Sequence, residues 1–242
     1  MKKVIVFQHV GIEDLGLLNS LFKKKNIFLK YIKLYQGEHI PCNLEDYSLM
    51  ISLGGPMNTW MEDKYPWLKK EKEAIRRFVI ELNKPFIGIC LGCQLLGEVI
   101  GGKIKKSKKT ELGFFEISLN NQKENDPIFK NFPESFNVFQ WHSYEVTNLD
   151  NPNICILGAS ENTPIQLFRY KENAYGIQFH IEIEKETLKN WCSEENFRKE
   201  LQETIGINGI EYLAKNQEPL LKGMNKLCLI FFLNITNYFL KK

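Results

Sequence analysis

The apolar run Pro85-Phe86-Ile87-Gly88-Ile89 passes through one cysteine, Cys90, directly into Leu91-Gly92-Cys93-Gln94-Leu95-Leu96-Gly97-Glu98-Val99-Ile100, a stretch of helical character. A buried strand that becomes a helix across a single residue leaves little choice of architecture. Gly88 and Gly92 remove the Cβ atoms that so tight a turn would force together, and Cys90 must carry the strained backbone. The helix that follows aims its free N–H groups and positive dipole end at the sulfur, which favours thiolate over thiol. The junction therefore reads as a nucleophile at a strand end; the competing reading is an inert cysteine in a packing junction.

The rest of the first hundred residues repeats the strand-then-helix pattern. Lys3 to Gln8 is a β-type run, and Ile12 to Lys25 carries apolar residues at Ile12, Leu15, Leu18, Leu21 and Phe22, one helical face. Further strands are predicted at Phe28 to Tyr35 and Ser48 to Leu53, a second helix at Pro66 to Leu82, and a fourth strand at Phe86 to Ile89. This alternation predicts an α/β fold, with a mostly parallel central sheet and helices on both faces, in which ligands gather outside the carboxyl ends of the strands. Gly54-Gly55 and Cys90 both fall at such ends. After Gly102 the runs shorten, near Glu111 to Leu119, Phe136 to Trp141, Ile154 to Ala159, Ile165 to Tyr170 and Tyr175 to Phe179, and predict a small antiparallel extension. Glu184 to Leu201 and Glu218 to Leu240 read as helices. One domain over residues 1–242 is expected, with a core at about 3–201 and a C-terminal helical extension at about 202–242.

Composition excludes several function classes. The chain has 32 basic and 29 acidic residues among 242, a balance too even for nucleic acid or an anionic membrane as main partner. Lys103, Lys105, Lys106, Lys108 and Lys109 read as a solvated strand edge. The apolar segment Leu227 to Leu233 is far short of the ~20 residues of a membrane span and reads as a docked helix. The start, Met1 to Phe7, is too briefly apolar for a signal peptide and reads as the first strand. The six cysteines, at 42, 90, 93, 155, 192 and 228, lack disulfide spacing, so a reducing cytoplasm is expected. No cofactor and no metal are called for, and no second cysteine pair stands at zinc spacing.

A second segment supplies a partner for the sulfur. Tyr175-Gly176-Ile177-Gln178-Phe179-His180-Ile181-Glu182 is a strand delivering a histidine and, two residues on, a carboxylate on the same side. His180 can take the thiol proton and later give it to a leaving amine, while Glu182 fixes the tautomer.

Together, Gly88-Ile89-Cys90-Leu91-Gly92-Cys93-Gln94, the Gly54-Gly55-Pro56-Met57 turn and Gln178-Phe179-His180-Ile181-Glu182 resemble the class I glutamine amidotransferases, in that family's order, over roughly Lys3 to Leu201. The resemblance implies the flavodoxin-like architecture of that family. It implies attack by Cys90 on the side-chain amide of glutamine, a γ-glutamyl thioester, release of ammonia and hydrolysis to glutamate. It makes His180 the base and Glu182 its orienter. It places the oxyanion hole at Gly54, Gly55 and the N–H of Leu91, and a substrate contact at Gln94; His142 and Ser143 are expected to line the site near His180, the other reading being that His142 caps the strand ending at Trp141. Gly55-Pro56-Met57-Asn58, Glu62 to Trp67 and Phe139-Gln140-Trp141-His142-Ser143 look most like the freestanding, GMP-synthetase-like homologues. No synthetase domain is recognisable in the chain, so a glutaminase half-reaction is expected, with the ammonia acceptor on a separate synthetase. A plant branch of similar architecture cleaves γ-glutamyl bonds of glutathione-type peptides, which makes such peptides the alternative substrate; a non-catalytic binding protein of the same fold is a further alternative.

Two departures stand out. Family members usually carry His-Pro-Glu where this chain has His180-Ile181-Glu182, and loss of the proline predicts a less rigid turn. Cys93 creates a C-x-x-C spacing with Cys90, which raises a redox role as a rival or as regulation by reversible oxidation. His9 and His39, without acidic or cysteine neighbours at useful spacing, are expected at the surface, and Trp60, Trp67 and Trp141 in packing or rim positions.

Overall fold

Val4-Ile5-Val6-Phe7 is apolar at every position because its strand is covered on both faces, as parallel strands are. The computed structural model describes residues 2–241. Strand β1 (Lys3–Gln8) lies between β2 (Phe28–Lys33) and β3 (Leu49–Ser52), and β4 (Phe86–Ile89) and β9 (Ala174–Ile177) follow beside β3, all parallel. The sheet continues antiparallel from β9 through β8 (Leu167–Tyr170), β7 (Ile154–Ala159), β5 (Lys103–Leu119) and β6 (Ser135–Thr147), nine strands in all. The order β2-β1-β3-β4-β9 is that of flavodoxin-like sheets, whose ligand crevice lies beyond the strand ends. The alternating first half and the switch to antiparallel pairing after Gly102 both appear as the sequence predicts.

Period-two alternation sends neighbours to opposite cores. Val4, Val6, Ile51 and Ile87 pack with Leu18 and Phe22 of α1 (Leu17–Lys24) on one face. Ile5, Phe7, Met50 and Phe86 pack on the other with Ile75 of α2 (Trp67–Arg76) and with Leu95 and Leu96 of α3 (Leu91–Val99). Helix α2 runs on into a wider π turn, Arg77–Glu81.

The last third departs from the expected helix boundaries. Helix α4 (Lys185–Ser193) is followed by α5 (Glu195–Phe239), which contains Pro219 and is interrupted at Gly206, with φ 66° and ψ 179°. Residues 202–217, which carry Gly206, Asn208 and Gly209 and so read weakly as helix, are helical because Ile205, Ile210 and Leu213 pack against Leu112, Trp141 and Trp191. The apolar tail segment is part of the main core. Cys228, Phe231, Phe232 and Ile235 are buried against the sheet, Phe232 meets Phe22 edge-on at 5.1 Å, and Asn234 donates to the carbonyls of Ile128 at 2.8 Å and Lys130 at 3.1 Å. Among the described residues no helix is long and apolar enough to cross a membrane. Phe231→Ala is expected to cost about 3–5 kcal/mol, read as a lower urea midpoint at unchanged slope.

Candidate active site

Cys90 occupies the left-handed region with φ 52° and ψ −103°, a conformation that a side chain adopts only where the surroundings impose it. They do so from both directions. Its N–H donates to the Ile177 carbonyl at 2.8 Å, extending the β4–β9 ladder by one residue, and its carbonyl accepts from Gln94 N at 3.2 Å inside α3. A Cβ on Gly88 would stand 2.7 Å from Cys93 N, and one on Gly92 would stand 2.7 Å from Ser52 Oγ, so both positions exclude side chains. The Gly92 N–H goes to Leu53 O at 3.1 Å, while the Leu91 N–H, at the first helical position, has no intrahelical acceptor.

One residue pair beyond β9, His180 comes up beside the sulfur. Its N–H and carbonyl pair with Phe139 at 2.8 and 3.2 Å, tying it to β6, and the ring of Trp191 on α4 stands edge-on to it at 5.1 Å. Nδ1 meets Glu182 Oε1 at 2.7 Å, while the Cys90 sulfur, facing the same cavity, lies 3.8 Å from the Trp141 carbonyl. Burial works against a charge on this ring, but the Glu182 carboxylate and the Cys90 sulfur outweigh it and hold the imidazole pKa well above its ordinary value. The second oxygen of Glu182 accepts the Ile181 N–H at 2.9 Å, a donor that proline lacks. The reduced rigidity expected from the missing proline is therefore opposed by a hydrogen bond that its replacement creates.

Cys90, Leu91, Gly55, Gln94, His142, Ser143 and His180 line one cavity of about 210 Å³, together with Trp141, Trp191 and Phe197. Gln94 Nε2 donates to Tyr144 O at 3.0 Å and faces Gln178 Oε1 at 3.3 Å; Gln178 Nε2 in turn lies 3.8 Å from the Cys90 sulfur. Ser143 shares a hydrogen bond with Thr110 at 3.1 Å. His142 presents its ring to the cavity, but Nε2 meets Glu111 at 3.1 Å and Nδ1 meets the Tyr144 carbonyl at 3.1 Å. Glu111 is fully buried; burial would raise its pKa, but hydrogen bonds from His142, Ser160 and Asn162 bring it below its ordinary value.

Gly54 packs directly against Glu13, His180 and Cys90. Its carbonyl accepts from His9 Nδ1 at 2.7 Å, and a Cβ there would sit 3.1 Å from His180 Cε1, 3.5 Å from Cys90 Cβ and inside the Glu13 carboxylate. His9, expected at the surface, is wholly buried and stacked on Trp67 at 5.3 Å, whereas His39 is exposed. Both ring nitrogens of His9 face acceptors, Gly54 O and, at 2.9 Å, Glu71 Oε2, so both carry protons. Burial disfavours that charge, yet Glu71 raises the pKa above its ordinary value. Ser52 Oγ holds the other Glu71 oxygen at 2.7 Å.

Glu13 is the second residue that the sequence reading missed. The helical period from Ile12 to Lys25 covers it, but α1 begins only at Leu17 because Gly16 abuts the Glu182 backbone and Leu17 N donates to Glu182 O at 2.8 Å. Residues 9–16 therefore cross the strand ends as a loop, and Glu13 reaches the cavity. Gly11 and Gly16 flanking an acidic pair at a strand end were the available signal. Burial pushes the Glu13 carboxyl up to about 7, against the lowering effect of His180 and His9.

The redox reading of Cys93 meets two obstacles. Its side chain is fully buried in the core on α2's face of the sheet while Cys90 belongs to the opposite one, and burial, with Cys90 adding to it, pushes its thiol well above its ordinary value. Both cysteines are free thiols. Among the described residues no group of three metal-ligating side chains converges.

The profile of the glutamine amidotransferase class-I family matches residues 20–199, and the chain belongs to the class I glutamine amidotransferases. That family hydrolyses the amide of glutamine and transfers the ammonia. A crystal structure of a glutamine amidotransferase from Thermotoga maritima is 34% identical, with a TM-score of 0.84 and 96% of each chain covered. The glutamine amidotransferase-like protein YfeJ of Salmonella typhimurium is 26% identical over 90% of each chain. One subunit of the glutamine-hydrolysing GMP synthase of Sulfurisphaera tokodaii is 35% identical over 58% of this chain and 70% of its own length. The full GMP synthase of Thermosipho melanesiensis is 28% identical, and the chain spans 41% of it.

His9→Gln strips the buried Glu71 of its counter-charge and is expected to cost about 3–5 kcal/mol at pH 6. The raised folded pKa means that the pair's contribution is complete below the unfolded value of about 6.5 and is lost as pH rises through the folded value. Urea unfolding at pH 6 and pH 9 should therefore show the wild-type advantage narrowing with pH.

Proposed function

We propose that this protein hydrolyses the side-chain amide of glutamine to glutamate and ammonia through a γ-glutamyl thioester on Cys90. The observation that carries the reading is a strained strand-end cysteine beside a histidine whose far nitrogen is held by Glu182 at 2.7 Å. The thiol proton passes to His180, whose protonated form Glu182 stabilises, before sulfur attacks the amide carbon. The N–H groups of Gly55 and Leu91, both on the cavity wall, receive the oxyanion, each worth about 2.7–4 kcal/mol by analogy with other oxyanion holes. Gly54 acts behind them, through its carbonyl on His9. As the C–N bond breaks, the His180 imidazolium protonates the departing nitrogen. Water, deprotonated by His180, then attacks the thioester, the C–S bond breaks, and glutamate leaves. Gln94, His142 and Ser143 form the part of the wall against which the amino-acid end of glutamine would rest.

Glutamine is favoured over a glutathione-type peptide by the cavity. Its volume of about 210 Å³ is below the roughly 300–1,000 Å³ of pockets that enclose drug-sized ligands. A separate synthetase as ammonia acceptor is supported by the similarity to one subunit of a GMP synthase. Six free cysteines support a reducing, cytoplasmic setting.

A glutamine-analogue electrophile should add to Cys90 in the folded, reduced protein, as read by peptide mass spectrometry. His180→Ala should lower kcat for ammonia release about 10²–10⁴-fold. Absence of the Cys90 adduct would falsify the mechanism, and cysteinylglycine release from glutathione outpacing ammonia release from glutamine would transfer it to the alternative substrate.

A further inference from the structure

Glu13 is a charged side chain that the thioester mechanism does not use. It is 6% exposed, lines the cavity, and its carboxylate has no hydrogen-bond partner among the described residues. Its oxygens are open to the cavity, so the donors that a largely buried carboxylate needs must come from whatever occupies that cavity. Gly54 shows where Glu13 sits. Glu13 Oε2, His180 Cε1 and Cys90 Cβ all converge on the point that a Gly54 side chain would occupy, so the carboxylate stands beside the edge of the imidazole that hands over the proton. The oxyanion donors, Gly55 and Leu91, are separate groups on the wall, and Gln94 is turned toward Tyr144 and Gln178.

Resting on the thioester reading above, we infer that Glu13 is the receptor for the departing nitrogen, and that it selects γ-glutamyl amides whose leaving group is ammonia or an unencumbered primary amine. During collapse of the tetrahedral intermediate, His180 gives its proton to the nitrogen, the C–N pair goes to nitrogen, and the nitrogen gains positive character and N–H donors. Glu13 accepts those hydrogen bonds and supplies the opposite charge; it loses and gains no proton over the cycle. The same carboxylate on the oxyanion side would oppose the reaction. A leaving group with an oxygen in place of nitrogen offers Glu13 no donor on departure except a lone hydroxyl. A leaving amino acid, whose own carboxylate lies one carbon from the nitrogen, is repelled.

The test compares kcat/KM for glutamine, γ-glutamylglycine and γ-glutamyl methyl ester in wild type and Glu13→Gln. Because each ratio is internal to one protein preparation, partial misfolding cancels. The glutamine-to-ester ratio should fall about tenfold or more in the variant, the value of a hydrogen bond to a charged group, and γ-glutamylglycine should gain on glutamine. Ratios unchanged within twofold overturn the assignment, as does a wild type that labels at Cys90 with the glutamine-analogue electrophile yet releases neither ammonia nor methanol. A wild type that never labels at Cys90 overturns the thioester reading itself, and with it this one.

Discussion

The parallel pairing of β4 with β9 sets Ile89 beside Ile177, and every functional position is counted from that register. One residue further, the Cys90 N–H still reaches Ile177 O, which holds the elbow in its left-handed conformation. Three residues beyond Ile177, His180 is caught by Phe139 of the neighbouring antiparallel strands and so cannot swing away from the sulfur. The proposed nucleophile thus comes from the parallel half of the sheet, while the proposed base is fixed by a contact with the antiparallel half. A register slip of one residue at β4–β9 would turn every side chain to the wrong face.

Around this pair the protein arranges charge in layers. Glu182 holds the imidazole that shares the cavity with the Cys90 sulfur, and Glu71 holds a second imidazole, His9, that meets the Gly54 carbonyl. Both histidine–glutamate pairs reach the Gly54 turn, His180 on the side where a Gly54 side chain would stand and His9 at the Gly54 carbonyl. Glu13 sits within electrostatic reach of both histidines and of Glu182. Burial makes each such group expensive alone and strongly coupled together, which is why the turn needs so many short contacts over so small a volume.

The residues legible in the sequence were those whose chemistry is local. Cys90 with its glycines, and His180 with Glu182 two residues on, announce themselves because strand geometry alone brings the second pair together. His9 and Glu71, or Glu111 and His142, meet only through tertiary packing, across 62 and 31 positions, and neither residue of either pair has a telling neighbour in sequence. Glu13 was hidden by a periodicity that is genuine but begins too late: contact between Gly16 and the Glu182 backbone stops the helix at Leu17 and releases the preceding residues as a loop. The long α5 escaped for the opposite reason, since packing sustains a helix through a glycine-bearing stretch that propensity would break.

The wall of the cavity depends on a distant part of the chain. Trp191 on α4 and Phe197 at the start of α5 line it, and α5 is anchored to the sheet through Cys228, Phe231 and Phe232 near its other end. The shape of the cavity is thus tied to how well the tail of α5 packs, so a substitution far from Cys90 in both sequence and space can alter the space beside its sulfur.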